Sequence, residues 1–277
     1  MGRFDGKVAF ITGGARGQGR AHALALAREG ADVCVVDRCA PIDTVPYSLA
    51  DADDLAHTVA LIEQKGRRAM SLEVDVRDSA AVTAAVAATV EGFGALDIAV
   101  ANAGVVGFGR FWEITDEMWA DMIAVNLTGT FNTMRAAVVP MLERGTGRII
   151  ATSSMAGRMG NPNLAHYVAS KWGIIGLVKT LALEVASQGI TVNAVCPAAV
   201  DTDMVHNPAL YSLFCPDLVD PTKEEVTPRY EATNPMRVPW IDAAEVAAAV
   251  LYLASDEARH VTGSTVDVSL GSAAGMP

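Results

Sequence analysis

Val8-Ala9-Phe10-Ile11-Thr12-Gly13-Gly14-Ala15-Arg16-Gly17-Gln18-Gly19 is the stretch on which the reading of this chain turns. Val8–Thr12 is a short apolar run of strand length, and an Ala/Leu-rich helical stretch follows from Gly19 to about Glu29. Glycines at a strand-to-helix turn allow tight geometry and let the backbone approach a pyrophosphate, whose charge the helix N-terminus favours. The spacing is G-x-x-x-G-x-G rather than G-x-G-x-x-G. A glycine-rich turn alone is often only a turn. The strand before it and the helix after it favour a nucleotide, with Gly13, Arg16, Gly17, Gln18 and Gly19 as candidate contacts.

The same alternation continues along the chain. Val8–Thr12, Ala31–Val36, Ala69–Val74, Ile98–Ala101, Arg148–Thr152, Thr191–Cys196 and Thr265–Ser269 read as strands, mostly apolar without alternation, as expected for strands buried on both faces. Helices are expected at Gly19–Glu29, Asp51–Lys65, Ser79–Phe93, Asp116–Leu142, Leu164–Ser187 and Ala243–Ala254. This order implies an α/β fold: a single Rossmann-type doubly wound domain over 1–277, with a seven-stranded parallel sheet flanked by helices. Length alone would permit two domains, but neither a linker nor a repeat divides the 277 residues.

Two segments break the rhythm. Arg38–Ala50 carries Pro41 and Pro46, and Asp201–Ile241 carries six prolines together with Tyr211, Phe214, Tyr230 and Trp240. A stretch as long as the second is usually functional or mobile, and its aromatic residues could line an apolar pocket over the substrate.

Composition sets exclusions. With 51% hydrophobic residues there is material for a large core, and a net charge of −11 argues against nucleic-acid backbones and anionic membranes. No targeting segment or membrane span is expected; Gly6 stands where a myristoylation signal needs Ser or Thr. Cys34, Cys39, Cys196 and Cys215 lack metal-site spacing and read as reduced thiols of a cytoplasmic protein. The sequon Asn126-Leu127-Thr128 has no meaning without export.

Asp37 ends the second strand. A carboxylate there accepts from both ribose hydroxyls of an adenosine and repels a 2′-phosphate. Arg38 and Arg16 offer charge that could favour NADP, but the position of Asp37 decides for NAD. Further on, Tyr167 and Lys171 lie four apart and share a helix face, with Ser154 thirteen residues before Tyr167 and Asn126 in the preceding long helix. A phenol titrates near ~10 and is a poor base at neutral pH. Positive charge from Lys171 and an oxidised nicotinamide would lower that value. Ser154 and Tyr167 are the candidate substrate contacts.

Together these motifs, with Asp75-Val76, Asn102-Ala103-Gly104 and Tyr167-Val168-Ala169-Ser170-Lys171, resemble the short-chain dehydrogenase/reductase superfamily over nearly the whole chain. The resemblance implies that Asp75 and Val76 hold adenine, and that Asn102, Ala103 and Gly104 stabilise the sheet beside the cofactor. It also implies that Pro197, Val200 and Thr202 lie at the nicotinamide, and that Asn126 bends its helix and holds a water leading to Lys171. Ala198 stands where a glycine usually follows the proline. The Arg38–Ala50 insertion, beginning Asp37-Arg38-Cys39-Ala40-Pro41, is similar to the actinobacterial subgroup of carveol dehydrogenase and the mycofactocin-associated dehydrogenases. That implies a tightly held NAD, an external electron acceptor and, from the wider family, a homotetramer.

The expected reaction is hydride transfer between a small apolar secondary alcohol, with terpenoids such as carveol among the candidates, and NAD, giving the ketone. Alternatives are a ketoreductase of acyl-thioester or steroid substrates and a non-catalytic redox sensor. No metal site is expected: His22, His57, His166, His206 and His260 are scattered and read as surface or packing residues. Trp112, Trp119 and Trp172 read as helix-packing residues, Met155 and Met204 as possible substrate contacts, and Glu224-Glu225 as a solvated loop face.

Overall fold

A computed structural model describes residues 2–275. The elements are β1 (Val8–Thr12), α1 (Gly17–Arg28), β2 (Asp32–Asp37), α2 (Ala52–Glu63), β3 (Ala69–Glu73), α3 (Ser79–Phe93), β4 (Ile98–Ala101) and α4 (Asp116–Met122). They continue with α5 (Gly129–Arg144), β5 (Gly147–Thr152), α6 (Ala165–Val185), β6 (Ile190–Pro197), α7 (Pro208–Phe214), α8 (Lys223–Glu231), α9 (Ala243–Ala254) and β7 (Thr265–Val268). The strands pair in parallel in the order β3-β2-β1-β4-β5-β6-β7. Order reverses between β1 and β4, so the connections there leave in opposite directions and open a crevice at the strand C-termini.

Alternation along each central strand feeds two apolar layers. Phe10, Cys34, Ala99 and Ile149 face Val82, Val86, Ala137 and Ile174 on one side, while Ala9, Ile11, Val35 and Ile150 face Leu26, Val246 and Val250 on the other. The five inner strands are buried as expected. β3 and β7 are partly exposed, because an edge strand lacks a neighbour on one side.

Three expectations need correction. The long helix expected over 116–142 is α4 and α5 joined by a π-helical turn, Ile123–Thr128. Within it, Asn126 turns inward to bond both Val105 N–H and Val105 C=O, at 2.8 and 2.9 Å. Residues 201–241 are not one irregular segment, since they contain α7 and α8. Pro208 sits at the start of α7, where its missing N–H costs nothing, and a Thr222–Glu225 capping box starts α8. Glu224 and Glu225 therefore belong to the first turn of a helix rather than to a loop. Trp112, Trp119 and Trp172 are 78%, 46% and 52% exposed, so they do not pack inside the protomer. Among the described residues no helix is long and apolar enough to cross a membrane, and no three His, Cys, Asp or Glu are grouped to hold a metal ion.

His22 lies wholly inside, on α1, with neither ring nitrogen hydrogen-bonded. Burial lowers its pKa from 6.5 to about 4. Between those values the unfolded chain binds a proton that the folded chain does not, so stability falls as pH falls through that window. Acidification from pH 7 to pH 5 should cost about 2 kcal/mol through this residue. Denaturant midpoints at the two pH values should therefore differ less in His22→Leu than in wild type; an equal difference refutes the assignment.

Candidate active site

The glycine loop can form only because its glycines have no side chains. Gly13 and Gly17 have φ of +67° and +53°. A Cβ on Gly19 would stand 1.9 Å from the Gly13 carbonyl oxygen, and one on Gly13 would stand 2.8 Å from the Ala103 Cα. The backbone of the loop thus forms the floor of the crevice. Its far side is fixed by Asn102. The amides of Asn102 and Ala103 donate to Thr12 Oγ1 at 3.0 and 3.1 Å, Asn102 Nδ2 donates to the Thr12 carbonyl, and Thr152 Oγ1 donates to Asn102 Oδ1. One asparagine therefore joins the C-terminal ends of β1, β4 and β5.

Asp37 is the last residue of β2. Its carboxylate accepts from Ala15 N at 3.1 Å and Arg38 N at 2.8 Å; burial raises its pKa, and these bonds oppose the rise. Neither neighbouring arginine is a free phosphate ligand. Arg38 Nε lies 3.1 Å from Asp75, and its Nη1 donates to the Pro41 carbonyl. Arg16 pairs with Asp203 at 2.8 Å and donates to the Ser48 carbonyl. Burial of Asp75 is overridden by Arg77 and Arg38, which hold its carboxyl below the usual range.

At the other end, Ser154 follows β5, and its Oγ accepts from Ala156 N at 3.1 Å, capping a short turn. Tyr167 and Lys171 project from α6. Lys171 is buried, donates from Nζ to the Thr152 carbonyl at 2.9 Å, and sits 5.5 Å from the Tyr167 ring centroid. Burial lowers its pKa from 10.5 to about 8. Burial raises the Tyr167 pKa, and the opposing influence is a hydrogen bond with Ser154. The Lys171 ammonium is turned toward the Thr152 carbonyl, so desolvation of the phenol wins. Gly104 allows this packing; a Cβ there would lie 3.3 Å from Asn126 Oδ1 and 3.5 Å from Lys171 Nζ.

Both ends open into one cavity of about 790 Å³, lined by Gly13, Arg16, Gly17, Gln18, Gly19, Asp37, Arg38, Asp75, Val76, Asn102, Ala103, Gly104, Ser154, Tyr167, Lys171, Pro197, Val200 and Thr202. Of the residues expected to carry catalysis or hold the cofactor, Asn126 alone lies outside this lining. Its Nδ2 reaches Val105 O and Ser170 Oγ. A family model described as short chain dehydrogenase matches residues 7–209. The chain belongs to the short-chain dehydrogenase family. (−)-trans-Carveol dehydrogenase of Rhodococcus erythropolis is 43% identical over 98% of this chain and 99% of its own length. Carveol dehydrogenase from Mycobacterium avium, solved with NAD, superposes with a TM-score of 0.97 at 46% identity, covering 98% of this chain and 99% of that one. A short-chain dehydrogenase from Mycobacterium paratuberculosis bound to NAD gives 0.90 at 38% identity, with the same coverage.

In this short-chain dehydrogenase both departures from the α/β rhythm add to the remaining wall, together with the segments after β4 and β5 and the turn after β7. Tyr47, overlooked in the sequence, lines the cavity from the 38–50 insertion, and its Oη accepts from Val106 N at 3.2 Å. An aromatic residue directly after Pro46, the one aromatic in the 38–50 stretch, was the available signal. Phe108, Met155, Met204, Leu210, Phe214 and Tyr230 add apolar wall. Tyr211 and Trp240, expected there, pack outside the lining. Ala198 does not disturb the backbone, since its N–H is held by the Val268 carbonyl at 2.9 Å.

Proposed function

We propose that the protein is an NAD-dependent dehydrogenase that converts a small or medium apolar secondary alcohol, of terpenoid size, to its ketone. The observation that carries this reading is the convergence of Ser154, Tyr167 and Lys171 on one cavity with a glycine cradle ending at Asp37. The cradle fits a nicotinamide dinucleotide. Its glycines stand where Cβ atoms would collide or where φ is positive, and Asp37 presents a carboxylate at the β2 end where adenosine ribose hydroxyls would bond. Asp75 and Val76 would flank adenine, and Pro197, Val200 and Thr202 would flank nicotinamide. When bound, the dinucleotide supplies the hydride acceptor and a positive ring.

The protein's own groups handle the proton. Ser154 Oγ and Tyr167 Oη would hold the carbinol oxygen, and Tyr167 would take its hydroxyl proton as the ketone forms. Lys171 would favour phenolate at Tyr167 and bond the neighbouring ribose. Asn126, fixing the π-helical turn, would keep the Lys171 side of the site in register. A pure sensor has no use for this buried set, and the apolar wall suits an alcohol better than an acyl thioester.

The insertion supports a retained cofactor. It is tied at three places: Arg16 to the Ser48 carbonyl, Val106 N to Tyr47 Oη, and Thr44 Oγ1 to Asp121 Oδ2 at 2.8 Å. A strap anchored to the glycine loop, the segment after β4 and α4 would hold NAD in place, and an external acceptor, as in the mycofactocin-associated subgroup, would then reoxidise it. The exposed Trp119, Phe131, Leu142 and Trp172 on α4, α5 and α6 would be covered in a homotetramer. We place this single-domain protein in the cytoplasm.

Denaturing the purified protein should release near-stoichiometric NAD, and the holoenzyme should reduce a redox dye when given secondary alcohols. Recovery of NADP, or turnover with free NAD by cofactor-free protein, contradicts the retained-NAD reading.

A further inference from the structure

His206 was set aside in the sequence as a surface or packing histidine, and it is not part of the cavity lining. Its ring is nevertheless bonded at both nitrogens. Nε2 lies 2.5 Å from Asp201 Oδ1, and Nδ1 lies 2.7 Å from Tyr211 Oη. A carboxylate only accepts, so Nε2 carries a proton and donates to Asp201, and in that tautomer Nδ1 accepts a hydrogen bond from the Tyr211 hydroxyl. The imidazole also meets Trp240 edge-on at 4.7 Å between centroids. Lys223 Nζ closes the group, 3.8 Å from Asp201 and 4.8 Å from the Trp240 ring centroid.

The members of this group come from different segments. Asp201 follows β6 and adjoins Thr202, Tyr211 lies on α7, Lys223 begins α8, and Trp240 precedes the Val200–Ile241 bridge. Those segments carry Thr202, Met204, Val205, Leu210, Phe214 and Tyr230 into the cavity wall. Both helices are short, seven and nine residues, and neither would persist in water without tertiary support. A two-sided hydrogen bond at His206 supplies that support at the junction.

We infer that His206 is a positioning residue for the substrate-side wall: through Asp201 and Tyr211 it sets where α7 and α8 stand, and so which alcohols fit. This rests on the reading of the cavity as an alcohol site. The consequence depends on size. An alcohol large enough to touch Leu210 and Phe214 should feel the loss of His206, whereas propan-2-ol, which occupies only the space at Ser154 and Tyr167, should not.

The test uses the holoenzyme and His206→Ala, with His206→Gln as the conservative variant, since an amide both donates and accepts. Dye-linked turnover is measured with propan-2-ol and with carveol, and amide hydrogen exchange is followed over residues 208–231. In His206→Ala, KM for carveol should rise about tenfold while kcat changes less than about twofold, and propan-2-ol kinetics should stay as in wild type. Exchange in α7 and α8 should quicken by about tenfold, with β1 and α6 unchanged, and His206→Gln should recover most of both effects. Equal losses for both alcohols, or unaltered exchange in α7 and α8, overturn the inference. If wild type oxidises neither alcohol, the alcohol reading fails, and the exchange measurement alone decides the role of His206.

Discussion

Replacing Tyr167 with Phe is expected to lower alcohol turnover by at least about 10³-fold while leaving the dinucleotide content of the purified protein unchanged. The change removes one oxygen and nothing else of the ring, which lines the cavity between Ser154 and Lys171. Without the phenol, the carbinol proton has no acceptor: Ser154 Oγ is an unactivated hydroxyl and the Lys171 amine is bonded to the Thr152 carbonyl. The glycine loop and Asp37, proposed to hold the dinucleotide, line the other end of the cavity, so its binding should not change. Single-turnover kinetics with bound NAD separate the two outcomes. Residual turnover above a few per cent of wild type would mean that another group takes the proton.

Substituting Arg16 with Ala should convert a retained cofactor into an exchangeable one. Its guanidinium links two segments beside the cavity, Ser48 of the insertion and Asp203 of the loop after β6, which on the proposed reading flank the dinucleotide. The Asp203 end is 65% exposed, so that pair alone is weak. Most of the effect comes from holding both segments at once. Loss of a charged hydrogen bond and its partner is worth ~1.5–3 kcal/mol, which corresponds to about 10- to 150-fold faster release. Gel filtration should strip NAD from Arg16→Ala and not from wild type, while added NAD restores dye-linked activity. Undiminished cofactor content after prolonged filtration would show that the strap holds by Tyr47 and Thr44 without Arg16.

The parts that were legible in the sequence are those governed by short-range patterning. Val8–Thr12, Ser79–Phe93 and Ala243–Ala254 stand at their expected bounds because apolar periodicity and end signals coincide there. The glycine loop was equally readable, since its sterics involve residues close in the chain. The resemblance implied a bend at Asn126, but its form, a π-helical turn at Ile123–Thr128, was hidden, because Asn126 bonds to Val105, twenty-one residues away. The helices α7 and α8 were hidden by prolines, which read as breakers unless their place within the helix is known. The exposed tryptophans misled for a similar reason: composition reports apolar character, not which face of a helix meets the sheet.

Sequence by itself determined the class of the fold and the order of its elements along the chain, and it singled out Ser154, Tyr167 and Lys171 as the candidate set, because spacing on one helix and at one strand end is a local property. Tertiary structure decided how that set behaves. Burial raises the Tyr167 pKa and lowers that of Lys171, Arg16 is drawn to Ser48 and Asp203 instead of a free phosphate, and Tyr47 reaches Val106 across the groove. Desolvation and long-range hydrogen bonds depend on which atoms surround a group after folding, and a list of residues carries neither.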